Sequence, residues 1–249
     1  MFVCNLNLRP MKRSIFIPYI FAAFNFSCSS TKTLKFYQKP DDIVKTESLK
    51  QFLNNNKSPK VVLRIPQTSY SVTETDKKDL QSENFDYLYN AIENQLLASG
   101  FIVKDRQLFN QIIANDGNNI NYQKLKEKSD TDLIIELTKL DSQVLYQTNK
   151  YYDKNNNEKV EKYGNRKKYG ASVEFKLVLI NSNEFAGVYR FNYTPCVDGC
   201  VISKSYKDIK KELKLFKKNG TKPYEGVEKD VLEDFIKSAT IKLVKEMRK

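Results

Sequence analysis

FDYLYNAIENQLLASGFIVKDRQLFNQIIAN, from Phe85 to Asn115, places an amphipathic helix, a glycine stop, a short apolar strand and a second helix in that order. Phe85, Leu88, Ile92 and Leu96 recur at spacings of three and four, which puts them on one helical face. Gly100 follows at once, and its freedom at positive φ suits the left-handed residue that closes a helix. Phe101, Ile102 and Val103 are apolar and partly β-branched, a run that reads as a short buried strand crossing a sheet once. Asp105 stands where it can cap a second helix carrying Leu108, Phe109, Ile112 and Ile113. A helix that feeds a strand that feeds another helix implies a layered α/β domain.

Outward from this stretch the pattern continues. KVVLRIP, Lys60 to Pro66, is a first strand bracketed by Pro59 and Pro66. Gln67 to Leu80 reads as a polar loop. Gly117-Asn118-Asn119 is a turn, and Asn121 can cap a short helix carrying Tyr122 and Leu125. DLIIELTKL, Asp132 to Leu140, is a third strand with Leu133, Ile135 and Leu137 on one face and Ile134, Glu136 and Thr138 on the other. Ala171–Ile180 and Glu184–Thr194 alternate as a hairpin turned at Asn181-Ser182-Asn183. Before them, Gln143 to Lys168 is rich in Tyr, Asn and Lys and reads as a polar hairpin extension. Two helices close the chain. Ser205–Lys218 sets Tyr206, Ile209, Leu213 and Phe216 on one side with lysines around them, a stripe that either packs on the domain or lies on an anionic membrane. Val227–Met247 is expected to cover the sheet beside the helix at Phe85. The expected fold is α/β (α+β), one domain over residues 60–249, with a mixed sheet of about five strands covered by helices.

The amino terminus reads as an address. Met11, Lys12 and Arg13 precede an uncharged, mostly apolar run from Ile15 to Phe26, the pattern of a secretory signal and too short to span a membrane. Met11 is the expected initiator, and residues 1–27 the signal peptide. Ser29 to Lys60 is polar, holds Pro40, Pro59 and an Asn54-Asn55-Asn56 run, and is expected to be a flexible tether over 28–59, with room for a short helix near Ser48–Leu53.

Of 249 residues, 42 are basic and 30 acidic, a net charge of +12. Without Arg9, Lys12 and Arg13 of the signal the balance is 39 against 30, or +9. Such a surface attracts anionic partners or is simply solvated. The tyrosines between Tyr146 and Tyr169 interleave with lysines as nucleic-acid stacking surfaces do, but export removes nucleic acid from the expected partners. There is no histidine, which excludes Ser-His-Asp and Cys-His triads and histidine-bearing zinc sites. Cys196 and Cys200, in Pro195-Cys196-Val197-Asp198-Gly199-Cys200, are expected to form a disulfide in an oxidising compartment, with Gly199 supplying the turn. A C-x₃-C metal or redox site is the alternative, with too few ligands near it. Carboxylate-pair hydrolysis remains open to Glu136 and Glu174, on neighbouring strands.

Phe26-Ser27-Cys28-Ser29 resembles a bacterial lipobox, with Asn25 in place of the usual aliphatic residue. The resemblance implies acylation at Cys28, and Ser29 after the cysteine implies sorting to the outer membrane. The strand Val61-Val62-Leu63, the run Leu96-Leu97-Ala98-Ser99-Gly100-Phe101-Ile102-Val103-Lys104-Asp105-Arg106 and Thr131-Asp132-Leu133-Ile134-Ile135 resemble the periplasmic α/β domain shared by the curli-secretion lipoprotein (CsgG-like) family, the penicillin-binding-protein activator LpoB and the amino-terminal domain of TolB. The likeness covers residues 60 to 195 and the last helix. Gln143–Lys168 departs from the curli channel, because it lacks the apolar alternation of a membrane-crossing hairpin.

The expected function is that of a bacterial envelope lipoprotein facing the periplasm from the outer membrane. It is expected to be an accessory or scaffolding module rather than an enzyme, with no cofactor and no metal. Its expected partners are the membrane, through the lipid anchor, and another envelope protein; a homo-oligomer is compatible with this reading. The alternatives are a curli-type secretion component and the carboxylate-dependent hydrolase.

Overall fold

Apolar alternation in three long strands sets the architecture. The computed structural model describes residues 32–65, 85–116, 122–162, 164–202, 206–219 and 225–249. The chain runs β1 (Lys32–Leu34), β2 (Asp42–Lys45), α1 (Glu47–Asn55), β3 (Lys60–Arg64), α2 (Asp86–Ala98), β4 (Ile102–Val103), α3 (Arg106–Asp116) and α4 (Tyr122–Ser129). It continues through β5 (Leu133–Thr148), β6 (Lys150–Tyr152), β7 (Glu158–Val160), β8 (Arg166–Leu179), β9 (Glu184–Tyr193), β10 (Cys200–Ile202), α5 (Tyr206–Asn219) and α6 (Lys229–Met247). Among the described residues the strands form a six-stranded sheet, β2-β9-β8-β5-β3-β4, and a four-stranded sheet, β10-β1-β6-β7. β3 runs parallel to β4 and β5, and the remaining pairs are antiparallel, so the large sheet is mixed and the fold α+β.

Leu63, Leu133, Ile135, Phe175 and Tyr189 face one side of the large sheet, where α1, α2 and α6 cover them with Leu49, Leu88, Ile92, Ile236 and Leu243. Each such side chain contributes roughly 1.5–3 kcal/mol by leaving water. Among the described residues, the opposite face is covered at one end, where Phe109 of α3 and Leu125 of α4 pack on Val62, Ile134 and Val178. α6 lies beside α2 as its apolar stripe requires.

The junction at Gly100 closes as the sequence implies. Gly100 has φ +86°, its N–H donates to the Leu97 carbonyl, and the Phe101 N–H donates to that of Leu96. That pair of bonds satisfies two carbonyls orphaned at the helix end, with buried Phe101 and Leu96 sealing the turn. Asp105 Oδ1 accepts from the N–H groups of Gln107 at 2.7 Å and Leu108 at 2.9 Å, the N-cap of α3.

Two expectations need correction, and two, the mixed sheet of about five strands and the polar hairpin extension, are borne out. The segment 32–59 is not a tether: it contributes β1, β2 and α1. Thr46 caps α1, and Leu34, Leu49 and Leu53 are buried. Its polar composition concealed three well-spaced leucines, enough to anchor short elements on a sheet built elsewhere. The run at Phe101 is an edge strand of two residues rather than a buried strand: Phe101 and the half-buried Val103 pack on the core, while Ile102 stays 45% exposed. The large sheet has six strands, since β2 adds to β9. The polar extension is the outer half of a long β5–β8 hairpin whose tip, β6–β7, folds back to pair Thr33 with Tyr152. The signal segment with Met11 and Cys28, the loop Gln67–Leu80, the turn at 117–119 and the cap at Asn121 lie outside the described residues.

Candidate functional site

The two cysteines sit where the two sheets meet. β9 leaves the large sheet at Tyr193, and the chain reaches β10 of the small sheet seven residues later. Cys196 and Cys200 are bonded across this turn, with Cα atoms 5.0 Å apart. Cys196 and Gly199 both adopt positive φ, +57° and +102°. A Cβ on Gly199 would lie 2.8 Å from Thr33 Cγ2, so glycine is required both by the backbone and by the close approach of β1. Cys200 pairs with Leu34, which fixes the loop to the small sheet.

This loop forms one wall of a cleft of about 620 Å³, and α6 forms the other with Val231, Asp234, Phe235, Ser238 and Lys242. The Tyr193 ring packs on Phe235 at 5.9 Å between centroids and gives an aromatic floor. Burial pushes the Tyr193 phenol above its ordinary value, so it stays neutral. Lys242 closes one end through an ion pair with Asp41 at 3.0 Å. Asn192 is nearly buried at the wall. Its Nδ2 donates to the Pro40 carbonyl at 2.7 Å, while its Oδ1 has no hydrogen-bond partner among the described residues. A buried acceptor left unpaired costs about 1–3 kcal/mol. Apolar floor, polar rim and fixed loop are the features of a binding groove.

The small sheet that carries this wall is polar. Lys32 pairs with Glu161 at 3.7 Å and stacks over Tyr151 at 4.3 Å. Glu161 also holds the buried Arg166 at 3.1 Å. Lys35 donates to Asn156 Oδ1 at 3.0 Å across the β6–β7 turn.

Glu136 and Glu174 share the face of the large sheet away from α1, α2 and α6, but the register sets them opposite cations rather than each other. Glu136 faces Lys176 on β8 and pairs with Arg64. Glu174 faces Arg190 on β9, whose Nε donates at 2.9 Å, and accepts from Thr138 Oγ1 at 2.9 Å. Burial raises the Glu174 pKa, and the hydrogen bonds from Arg190 and Thr138 outweigh it, so the carboxyl stays below its usual range. It is held ionised, the reverse of what a general acid needs.

Asp105 and Arg106 have structural partners. Asp105 is the cap already described. Arg106 pairs with Glu93 at 3.6 Å and lies over the Tyr89 ring at 4.9 Å, tying α3 to α2. Among the described residues no cluster of three or more Cys, Asp or Glu is placed to hold a metal, and no helix is long and apolar enough to cross a membrane.

The sequence pointed to the cleft only through its cysteines. Gln38, Asn192, Thr194, Phe235 and Lys242 come from three distant parts of the chain, and no local pattern marks them.

No family model matches this chain, and no curated protein matches it. Among solved structures it is similar to one described as a neuraminyllactose-binding hemagglutinin homolog from Helicobacter pylori, at 13% identity and a TM-score of 0.33, covering 76% of this chain and 85% of that one. It is also similar to a PDZ domain protein from Parabacteroides distasonis, at 10% identity and a TM-score of 0.23, covering 80% of this chain and 39% of that one. At these scores neither likeness speaks to function.

Proposed function

We propose that this chain is a bacterial envelope lipoprotein, acylated at Cys28 and facing the periplasm, whose α+β domain serves as an accessory module by docking another envelope protein in the cleft between the Cys196–Cys200 loop and α6. The observation that carries the reading is the cleft itself: about 620 Å³, aromatic at its floor and walled by a disulfide-closed loop. A disulfide belongs to an oxidising compartment, and the basic, apolar and Ser-Cys order of residues 12–28 supplies the export signal and the acylation site. The reading is of a binder rather than a hydrolase, because the two candidate carboxylates are each engaged by an arginine.

Labelled palmitate in a lipoprotein-competent bacterium tests the anchor. The account expects label in the outer-membrane fraction that disappears with Cys28→Ser. Unlabelled protein in the cytosol, with Cys196 and Cys200 reduced, would overturn it.

A further inference from the structure

Among the described residues, α5 is a helix that no other element covers. Its Ile209 is half-buried, Leu213 remains 44% exposed, and no other described element makes an extensive contact with it. α2 and α6, by contrast, bury their apolar stripes completely at Leu88, Ile92, Ile236 and Leu243. The sequence of α5 carries six lysines against Asp208 and Glu212. Lys207, Lys210, Lys211 and Lys214 are all exposed. An apolar stripe in water with a dense cationic flank is costly unless something covers both.

We propose that α5 lies flat on an anionic lipid surface, with Ile209 and Leu213 entering the headgroup region and Lys210 and Lys214, on the flank beside them, meeting the phosphates. A soluble polyanion would satisfy the lysines and leave Leu213 in water. A lipid surface takes both, which selects it as the occupant. This contact does not rest on acylation of Cys28: it would hold the domain against the bilayer by a second point, in a fixed orientation.

The chain contains no tryptophan, so one introduced residue reports its own surroundings. Residues 213 and 215 are separated by about 200° around a helix of 3.6 residues per turn. Leu213→Trp therefore reads the lipid-facing side, and Leu215→Trp, at a position 59% exposed, reads the opposite one. Full-length chain carrying Cys28→Ser is mixed with vesicles of phosphatidylcholine alone or with three-tenths phosphatidylglycerol. The proposal expects emission from Leu213→Trp to move to shorter wavelength only with phosphatidylglycerol, and that from Leu215→Trp to stay in place. Replacing Lys210 and Lys214 by Gln should weaken the partition that produces the shift roughly 30-fold, from the usual worth of a lysine near an anionic surface.

Three outcomes would overturn the proposal. Chain that sediments with the vesicles without a shift at 213 touches them elsewhere. Equal shifts at 213 and 215 mean that the helix does not lie flat. A lysine-dependent affinity for heparin or DNA, with no shift on vesicles, makes the helix a polyanion site.

Discussion

The two sheets share one chain and are held together by different chemistry. The six-stranded sheet is made by burial: Phe175, Tyr189, Phe191 and Leu63 are removed from water beneath α1, α2 and α6. The four-stranded sheet has strands of three residues each and only one buried leucine, Leu34. A disulfide, the Lys32–Glu161–Arg166 network and lysines stacked on Tyr151 and Tyr152 hold it instead. Apolar burial makes a rigid platform, whereas directional polar contacts make a surface that stays wet and available. The candidate cleft lies at the join, with α6 of the platform as one wall and the disulfide loop as the other.

The largest effect expected from this contrast is in the platform. Phe175→Ala removes a fully buried ring that packs on Phe191 at 6.4 Å, and should cost about 3–5 kcal/mol in chemical denaturation. Replacing Cys196 and Cys200 together by serine should cost about 2 kcal/mol, the loop-closure entropy of so short a ring. Its signature is local: amides of β1 and β10 exchange faster, while those of β3, β5 and β8 keep their protection. Uniform acceleration across both sheets would show that they unfold as one unit.

Smaller effects separate the two kinds of polar contact. Glu161→Gln leaves the buried Arg166 with less than its full set of partners and should cost about 1–2 kcal/mol. Glu174 provides a pH test. Its folded pKa is lowered, so its contribution is full above the unfolded value and is lost as pH falls through the folded one. Glu174→Gln should therefore flatten the acid limb of stability and lower stability at neutral pH slightly. The pKa of Glu158, in the small sheet, is also lowered, by its hydrogen bond from Lys150, but this pair is exposed and solvent screens it. Glu158→Gln should leave the same curve unchanged within error.

That contrast also explains what the sequence disclosed. Val173, Phe175 and Leu177 alternate with the half-buried Glu174 and Lys176 because the helices cover one face of β8, and Leu133, Ile135 and Leu137 line the same face of β5, where Ile134 and Glu136 between them are buried as well. Burial on one face leaves a period of two in the sequence, so the platform strands were legible. Asp105 and Gly100 were legible for the same kind of reason, since a helix end demands particular residues. β1, β6, β7 and β10 carry no such period: their pairing depends on Thr33 meeting Tyr152 and Val201 from far along the chain. The tether reading failed there, as strands of three polar residues look like loop. Of the candidate site, only Cys196 and Cys200 were visible beforehand, because a covalent link is written in residue type while a cleft is written in topology. Glu136 and Glu174 were correctly placed on neighbouring strands, but the register that sets each against a cation could not be read from either strand alone.

The most direct test of the account places a photoreactive amino acid at Val197, on the lip of the cleft, in the full chain in living envelopes. The account predicts one discrete adduct with another envelope protein, strongly reduced when Cys196 and Cys200 are both replaced by serine. It also predicts no such adduct from the same probe at the exposed Glu127 of α4. Equal adducts from both positions, or an adduct at Val197 indifferent to the disulfide, would contradict the claim that the pinned loop and α6 form a docking cleft.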